Sequence, residues 1–384
     1  MGFPGRSKPE PPTPVIETVP RGLRIAAACS WRLLLVGGLI AVLVFLVIQF
    51  RYIVIPILVA LLLAGLLVPF SQWLQKHRWP KWLAVAVSML GTIGVVGGLV
   101  TLVVLEVRRG YPRLQEATLA SFEQFRTWLL DGPFHIDAGE FNVWVAQLWE
   151  TIQRDTSGLW SGVLSVGSTA GHVLAGALLA LFATLFFLID GKRIWTWLLR
   201  LFPQRARPAV GGAGEAGWIT LTTFVKVQIF VAFVDAVGIG AGAWILGLFF
   251  GGFPLVIPIA VAVFLGSFVP VVGALVTGAL AVFVALVYLG PIPAIIMLGI
   301  VLFVQQVEGH ILQPLGVGRA VKIHPLAVVI AVAAGGFIAG IPGALFAVPL
   351  VAVANVMINY IAAGTWRTNP HPTVNEILGE PTRG

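Results

Sequence analysis

The chain has 384 residues, of which 58% are hydrophobic and 10% charged, with a formal net charge of +8. A soluble domain carries about 25% charged residues, so this composition excludes an ordinary soluble enzyme and indicates a polytopic membrane protein. The positive balance does not point to nucleic acid, because most Lys and Arg stand in short loops beside apolar spans, and the single cysteine, Cys29, excludes an intramolecular disulfide and a Cys-based metal cluster.

In chain order, Met1 to Arg24 is rich in Pro and charge and reads as the core of a disordered cytoplasmic tail covering 1–30, not a signal peptide. Residues 31–105 hold three spans. Trp31-Arg32 anchors the first, Leu33 to Ile48; a polar corner at Gln49 to Tyr52 leads to the second, Ile53 to Phe70. A basic, aromatic-flanked loop (Lys76, His77, Arg78, Lys81 with Trp73, Trp79 and Trp82) precedes the third, Leu83 to Leu105, which is lined by Gly91, Gly94, Gly97 and Gly98.

Residues 106–165 are water-compatible, with 5 positive against 8 negative charges, a balance suited to the outer side. Apolar residues recur there near helical spacing, Leu114 to Leu129 and Phe141 to Ile152, which predicts two amphipathic helices separated by Asp131-Gly132-Pro133. Residues 166–364 form the expected transport core. Its first span, Val166 to Ile189, closes at the basic cluster Asp190-Gly191-Lys192-Arg193, and the next, Trp218 to Phe250, carries Lys226, Gln228 and Asp235. Nine residues place Lys226 and Asp235 on opposite helix faces, so Lys226 snorkels while Asp235 faces a cavity or a neighbouring helix.

Beyond Phe250 the apolar runs are shorter than the roughly 20 residues a full span needs. Half-membrane hairpins are expected, with turns at Pro270 to Gly273 and at Pro342-Gly343. The run ending at Val304 meets Gln305, Gln306, Glu308 and His310, then Gln313-Pro314, Arg319 and Lys322, before apolar chain resumes at Pro325. Broken backbone and a carboxylate are tolerated at membrane depth only where protein buries them or water reaches them. The transport path is therefore placed here. Glu308 is its functional carboxylate, with Asp235 as a second acid. Gln305 and Gln306 line the path or satisfy loose backbone, and His310 admits either role. Arg319 and Lys322 are candidate contacts for an anionic solute or lipid headgroups. Residues 365–384 read as a short polar cytoplasmic tail. Metalloprotease, nucleophile-elbow and nucleotide-loop patterns are absent from the sequence, so no enzyme, cofactor or metal is expected.

The ordered motifs Phe268-Val269-Pro270-Val271-Val272-Gly273, Gln305 to Pro314, Gly318 to Leu326, Gly340-Ile341-Pro342-Gly343 and Ala347-Val348-Pro349-Leu350 resemble the AI-2E (autoinducer-2 exporter) family. That resemblance implies an all-α protein of about eight transmembrane helices in a bacterial inner membrane, with both termini cytoplasmic and an outer amphipathic region. It also implies a homo-oligomeric secondary transporter in the lipid bilayer. The solute would be small, in some members a quorum-sensing signal and in others sodium exchanged for protons. A non-transporting multispan scaffold is the remaining alternative.

Overall fold

The computed structural model describes residues 21–131, 166–253, 255–269, 272–312 and 324–378. Every regular element among them is helical. The elements are α1 (Arg21–Gln49), α2 (Arg51–Lys76), α3 (Lys81–Asp131), α4 (Val166–Leu199), α5 (Arg207–Phe249), α6 (Val256–Gly266), α7 (Val272–Leu289), α8 (Pro291–Val307), α9 (Pro325–Ala362) and α10 (Val374–Leu378). A π-helical turn, Glu308–Leu312, follows α8, and a 3-10 turn, Thr365–Arg367, follows α9. Seven helices among the described residues are long and apolar enough to cross a membrane, while α6 and α7 are shorter. The protein is thus an all-α polytopic membrane protein.

The helix α1 begins at Arg21, ten residues ahead of the expected anchor Trp31, and it forms a unit by itself; residues 1–20 lie outside the described residues. The polar corner is short, with only Phe50 leaving the helix between α1 and α2. The helix α3 runs on for 51 residues, to the breaker at Asp131. Its contour length is about 76 Å against a hydrocarbon core of about 30 Å. The first expected amphipathic helix is therefore the unbroken continuation of the third span, not a helix of its own. The second, over 141–152, lies outside the described residues.

The second unit, from Tyr52 onward, is built along α5. At its C-terminal half, Ile239, Ala243 and Leu246 pack with Ile259 and Val263 of α6, Val284 and Ala285 of α7, and Met297, Val301 and Val304 of α8. At its N-terminal half, Ala213 and Ala216 pack with Tyr360, Met357, Trp366 and Ile377. The C-terminal residues are strapped onto this end. Tyr360 donates to the Asn369 carbonyl, and Glu376 accepts from the Thr373 amide at 2.8 Å and the Asn369 amide at 2.7 Å. The Thr373 backbone bond, foremost, holds the Glu376 carboxyl below the usual carboxylate range. Its contribution is thus present at neutral pH and lost as the pH falls through that lowered value.

Both short hairpins are pinned by backbone-to-backbone glycine contacts. A Cβ on Gly273 would overlap the Gly266 carbonyl, and one on Gly266 would stand 2.6 Å from Thr277 Cγ2. A Cβ on Gly343 would likewise overlap the Gly335 carbonyl, and one on Gly335 the Gly343 carbonyl. Residues eight apart are about 12 Å apart along a continuous helix, so α9 folds back on itself. The reversal falls at Ala339 (φ −138°) and Gly340 (φ 64°, ψ −147°), just ahead of the expected Pro342-Gly343. Glycine alone adopts the Gly340 backbone without strain. Pro342 then opens the returning half, where its missing N–H leaves no bond unmade.

These contacts predict that Gly273→Ala and Gly343→Ala each lower stability by about 1–3 kcal/mol, the usual range for overpacking. Gly299→Ala on α8, where a Cβ would meet no described atom within 4 Å, is expected to leave it unchanged. Thermal unfolding in detergent compares the three.

Candidate transport site

Glycines on α5 set the register of its neighbours. Against α8, a Cβ on Gly242 would stand 2.5 Å from Ile300 Cγ2 and one on Gly238 2.9 Å from Val304 Cγ2. The two helices are therefore antiparallel, and one further turn along each brings Glu308 to the level of Asp235. Against α6 and the segment leading into it, a Cβ on Gly247 would stand 2.5 Å from Phe253 N and one on Gly240 3.0 Å from Ala260 Cβ, and the same antiparallel register ends with Ser267 at Asp235. Small residues let backbones come this close. Two helix ends are thereby delivered to one carboxylate.

Asp235 is 1% exposed. Its Oδ2 accepts from Ser267 Oγ at 3.0 Å, while Oδ1 is buried without a hydrogen-bond partner. Two turns back on the same face, Gln228 Nε2 donates to the Ser267 carbonyl at 2.6 Å. The tip of the α6–α7 hairpin is thus fastened to α5 by two bonds, one of which ends on the buried acid. Thr277 satisfies the Gly273 carbonyl at 2.8 Å on the returning strand of the hairpin.

The second hairpin arrives from the other end. Tyr360 meets Gly212, Val353 and Met357 meet Gly217, and Val348 packs with Phe224. Continued by one turn, this antiparallel register brings Ala344, beside the α9 reversal, to the level of Gln228. Val269 of the first hairpin packs in the same cluster as Val332, Ala344 and Ala347 of the second. Three interrupted elements therefore meet the middle of α5: the end of α6, the reversal of α9 and the π turn after α8. Such turns inside membrane helices expose backbone carbonyls where irregular chain lines a cavity.

Among the expected site residues, Asp235 is the deeply buried one. Glu308 opens the π turn, is half-buried, and acts on Asp235 as a like charge. Gln305 is half-buried, whereas Gln306 and His310 are exposed, with His310 Nδ1 3.2 Å from the Gln306 carbonyl oxygen. Gly273 lies at the hairpin crossing, and Pro342 and Gly343 begin the second half of α9. Pro270, Arg319 and Lys322 lie outside the described residues. Lys226 is exposed, on a different side of α5 from Asp235. Ser267 is the residue that the sequence reading passes over. Its signal is a polar residue beside glycine at the end of an apolar run.

A buried carboxylate with one unmatched oxygen is costly. A second carboxylate, Glu308, near enough to act on it adds repulsion. A positive charge between them, a proton or a metal cation, relieves both, and that is the chemistry this arrangement offers.

The family model described as AI-2E family transporter matches residues 35–363. A candidate transport protein of Mycobacterium tuberculosis (strain CDC 1551 / Oshkosh), MT0215, is 39% identical over 358 residues, covering 93% of this chain and 95% of that protein. Candidate transport proteins YrrI and YueF of Bacillus subtilis (strain 168) are 26% and 24% identical. The first alignment covers 80% of this chain and 86% of YrrI, the second 78% of this chain and 81% of YueF.

Replacing Asp235 by Asn removes the buried charge and keeps the volume of the side chain. Asp235→Asn is expected to raise the unfolding midpoint at neutral pH. Asp235→Ala, which leaves a void where the side chain is enclosed, is expected to lower stability by about 0.5–3 kcal/mol. Thermal unfolding of both variants in one detergent checks the opposite signs.

Proposed function

The chain belongs to the AI-2E transporter family, and from that premise we propose that it exports a small solute through a passage opened where α6, α8 and α9 break against α5. The buried Asp235 with its unpartnered oxygen carries the reading, because an ionisable group at membrane depth is retained where it serves a path or a relay. Glu308, which acts on Asp235 as a like charge, is the second acid of the path, with Gln305, Gln306 and His310 at the same end of α8. No nucleotide-binding loop is present in the sequence, which supports facilitated or ion-coupled movement. A quorum-sensing furanone is the solute carried over from the family resemblance. The basic loops around Lys76 to Lys81 and Lys192 to Arg207 support a bacterial inner-membrane placement with both termini cytoplasmic. The glycines of α3, Gly91 to Gly98, which no described atom meets within 4 Å of an added Cβ, support packing against another subunit of a homo-oligomer.

Sodium/proton antiport is the second reading, favoured by the two interacting acids alone. In proteoliposomes, Asp235→Asn is expected to reduce solute flux at least tenfold. Glu308→Gln is expected to change its pH dependence. Unchanged flux in both variants at every pH removes the two acids from the mechanism, while sodium-dependent proton movement in inverted vesicles without solute flux selects the antiporter.

A further inference from the structure

Ser267 has one hydroxyl proton and two acceptors within reach. One is Asp235 Oδ2 at 3.0 Å, on α5; the other is the Val263 carbonyl at 2.8 Å, on its own helix. We infer that Ser267 is the positioning residue that couples the charge on Asp235 to the seating of the α6–α7 hairpin tip. This inference rests on the transport reading for its purpose, not for its geometry.

With Asp235 ionised, the hydroxyl is drawn across to α5, because a hydrogen bond to a charged acceptor is roughly twice as strong as one to a neutral acceptor. The tip is then held by that bond and by Gln228. Once Asp235 is neutralised, the Val263 carbonyl is the better acceptor. The hydroxyl turns back onto α6, as serines inside helices commonly do. The tip then keeps Gln228 as its only cross-helix hydrogen bond among the described residues, and the hairpin is released.

The charged groups around Asp235 are few. Helices α6, α7, α8 and α9 contain no Asp, Glu, Lys, Arg or His. The π turn contributes Glu308, which acts on Asp235, and His310, which is exposed. On α5 itself Lys226 is exposed. Among the described residues, a pH response of the tip therefore belongs to Asp235 or Glu308, and variants separate the two. Cation binding at Asp235 would act in the opposite sense to a structural brace, by weakening the pull on the hydroxyl.

Hydrogen exchange of the full chain in nanodiscs, expressed as protection relative to the intrinsic rate at each pH, reads the tip amides of Ser267, Phe268 and Val269. The native chain is expected to lose roughly tenfold protection there as the pH is lowered. Asp235→Asn is expected to hold the low-protection value at all pH. Ser267→Ala is expected to be pH-independent, Ser267→Thr to restore the transition, and Glu308→Gln to keep it. A native chain without a transition, or a Ser267→Ala chain that keeps it, overturns the coupling. Loss of flux in Asp235→Asn with no change at the tip leaves the transport reading standing while rejecting this one.

Discussion

The structure depends on how closely other helices approach α5. Where α5 carries Gly238 and Gly242, α8 lies against it; where it carries Gly240, α6 does, and at Gly247 the segment leading into α6. Lipid tails provide no hydrophobic drive for helix association, so close packing and polar bonds must supply it. The glycines allow the approach, and the approach fixes the register. That register terminates α6 and interrupts α8 at the level of one buried carboxylate. A Cβ at Gly238, Gly242 or Gly247 would stand under 3.0 Å from the facing chain, so the neighbour there must shift.

Much of this architecture is legible in the amino-acid order. The apolar runs mark the spans. Runs too short to cross, broken by Gly and Pro, mark the hairpins. The exact reversal in α9 is not legible, because Gly335, Gly336, Gly340 and Gly343 all qualify as turn residues and only the backbone dihedrals select Gly340. The continuation of α3 through Asp131 is hidden for a different reason. An amphipathic pattern following an apolar one looks like a new element, yet nothing between Leu105 and Leu114 breaks a helix apart from Gly110 and Pro112, and both are accommodated.

The site is legible in part. Charge at membrane depth draws attention to Glu308 and Asp235, but sequence gives Glu308 the larger weight because broken chain surrounds it. The structure reverses that emphasis: Glu308 is half-buried, and Asp235 is the enclosed acid with an unmatched oxygen. Ser267 escapes sequence reading altogether. Its partner stands 32 residues away, and a serine in an apolar run ordinarily bonds its own helix. The same glycines that look like generic close packing in sequence turn out to encode which helices meet and at what level.

The central claim is that the Asp235 face of α5 communicates with water during the protein's working cycle while the opposite faces remain in lipid. Modification by a charged, membrane-impermeant thiol reagent in native membranes tests it most directly, with Cys29 replaced by Ser and single cysteines placed along α5. Cysteines at Gln228, Ala232 and Asp235 are expected to react, and cysteines at Phe233 and Val237, exposed on the opposite side of α5, to remain inert. An inert Asp235 face, with reagent added from either side of the membrane, would contradict the account.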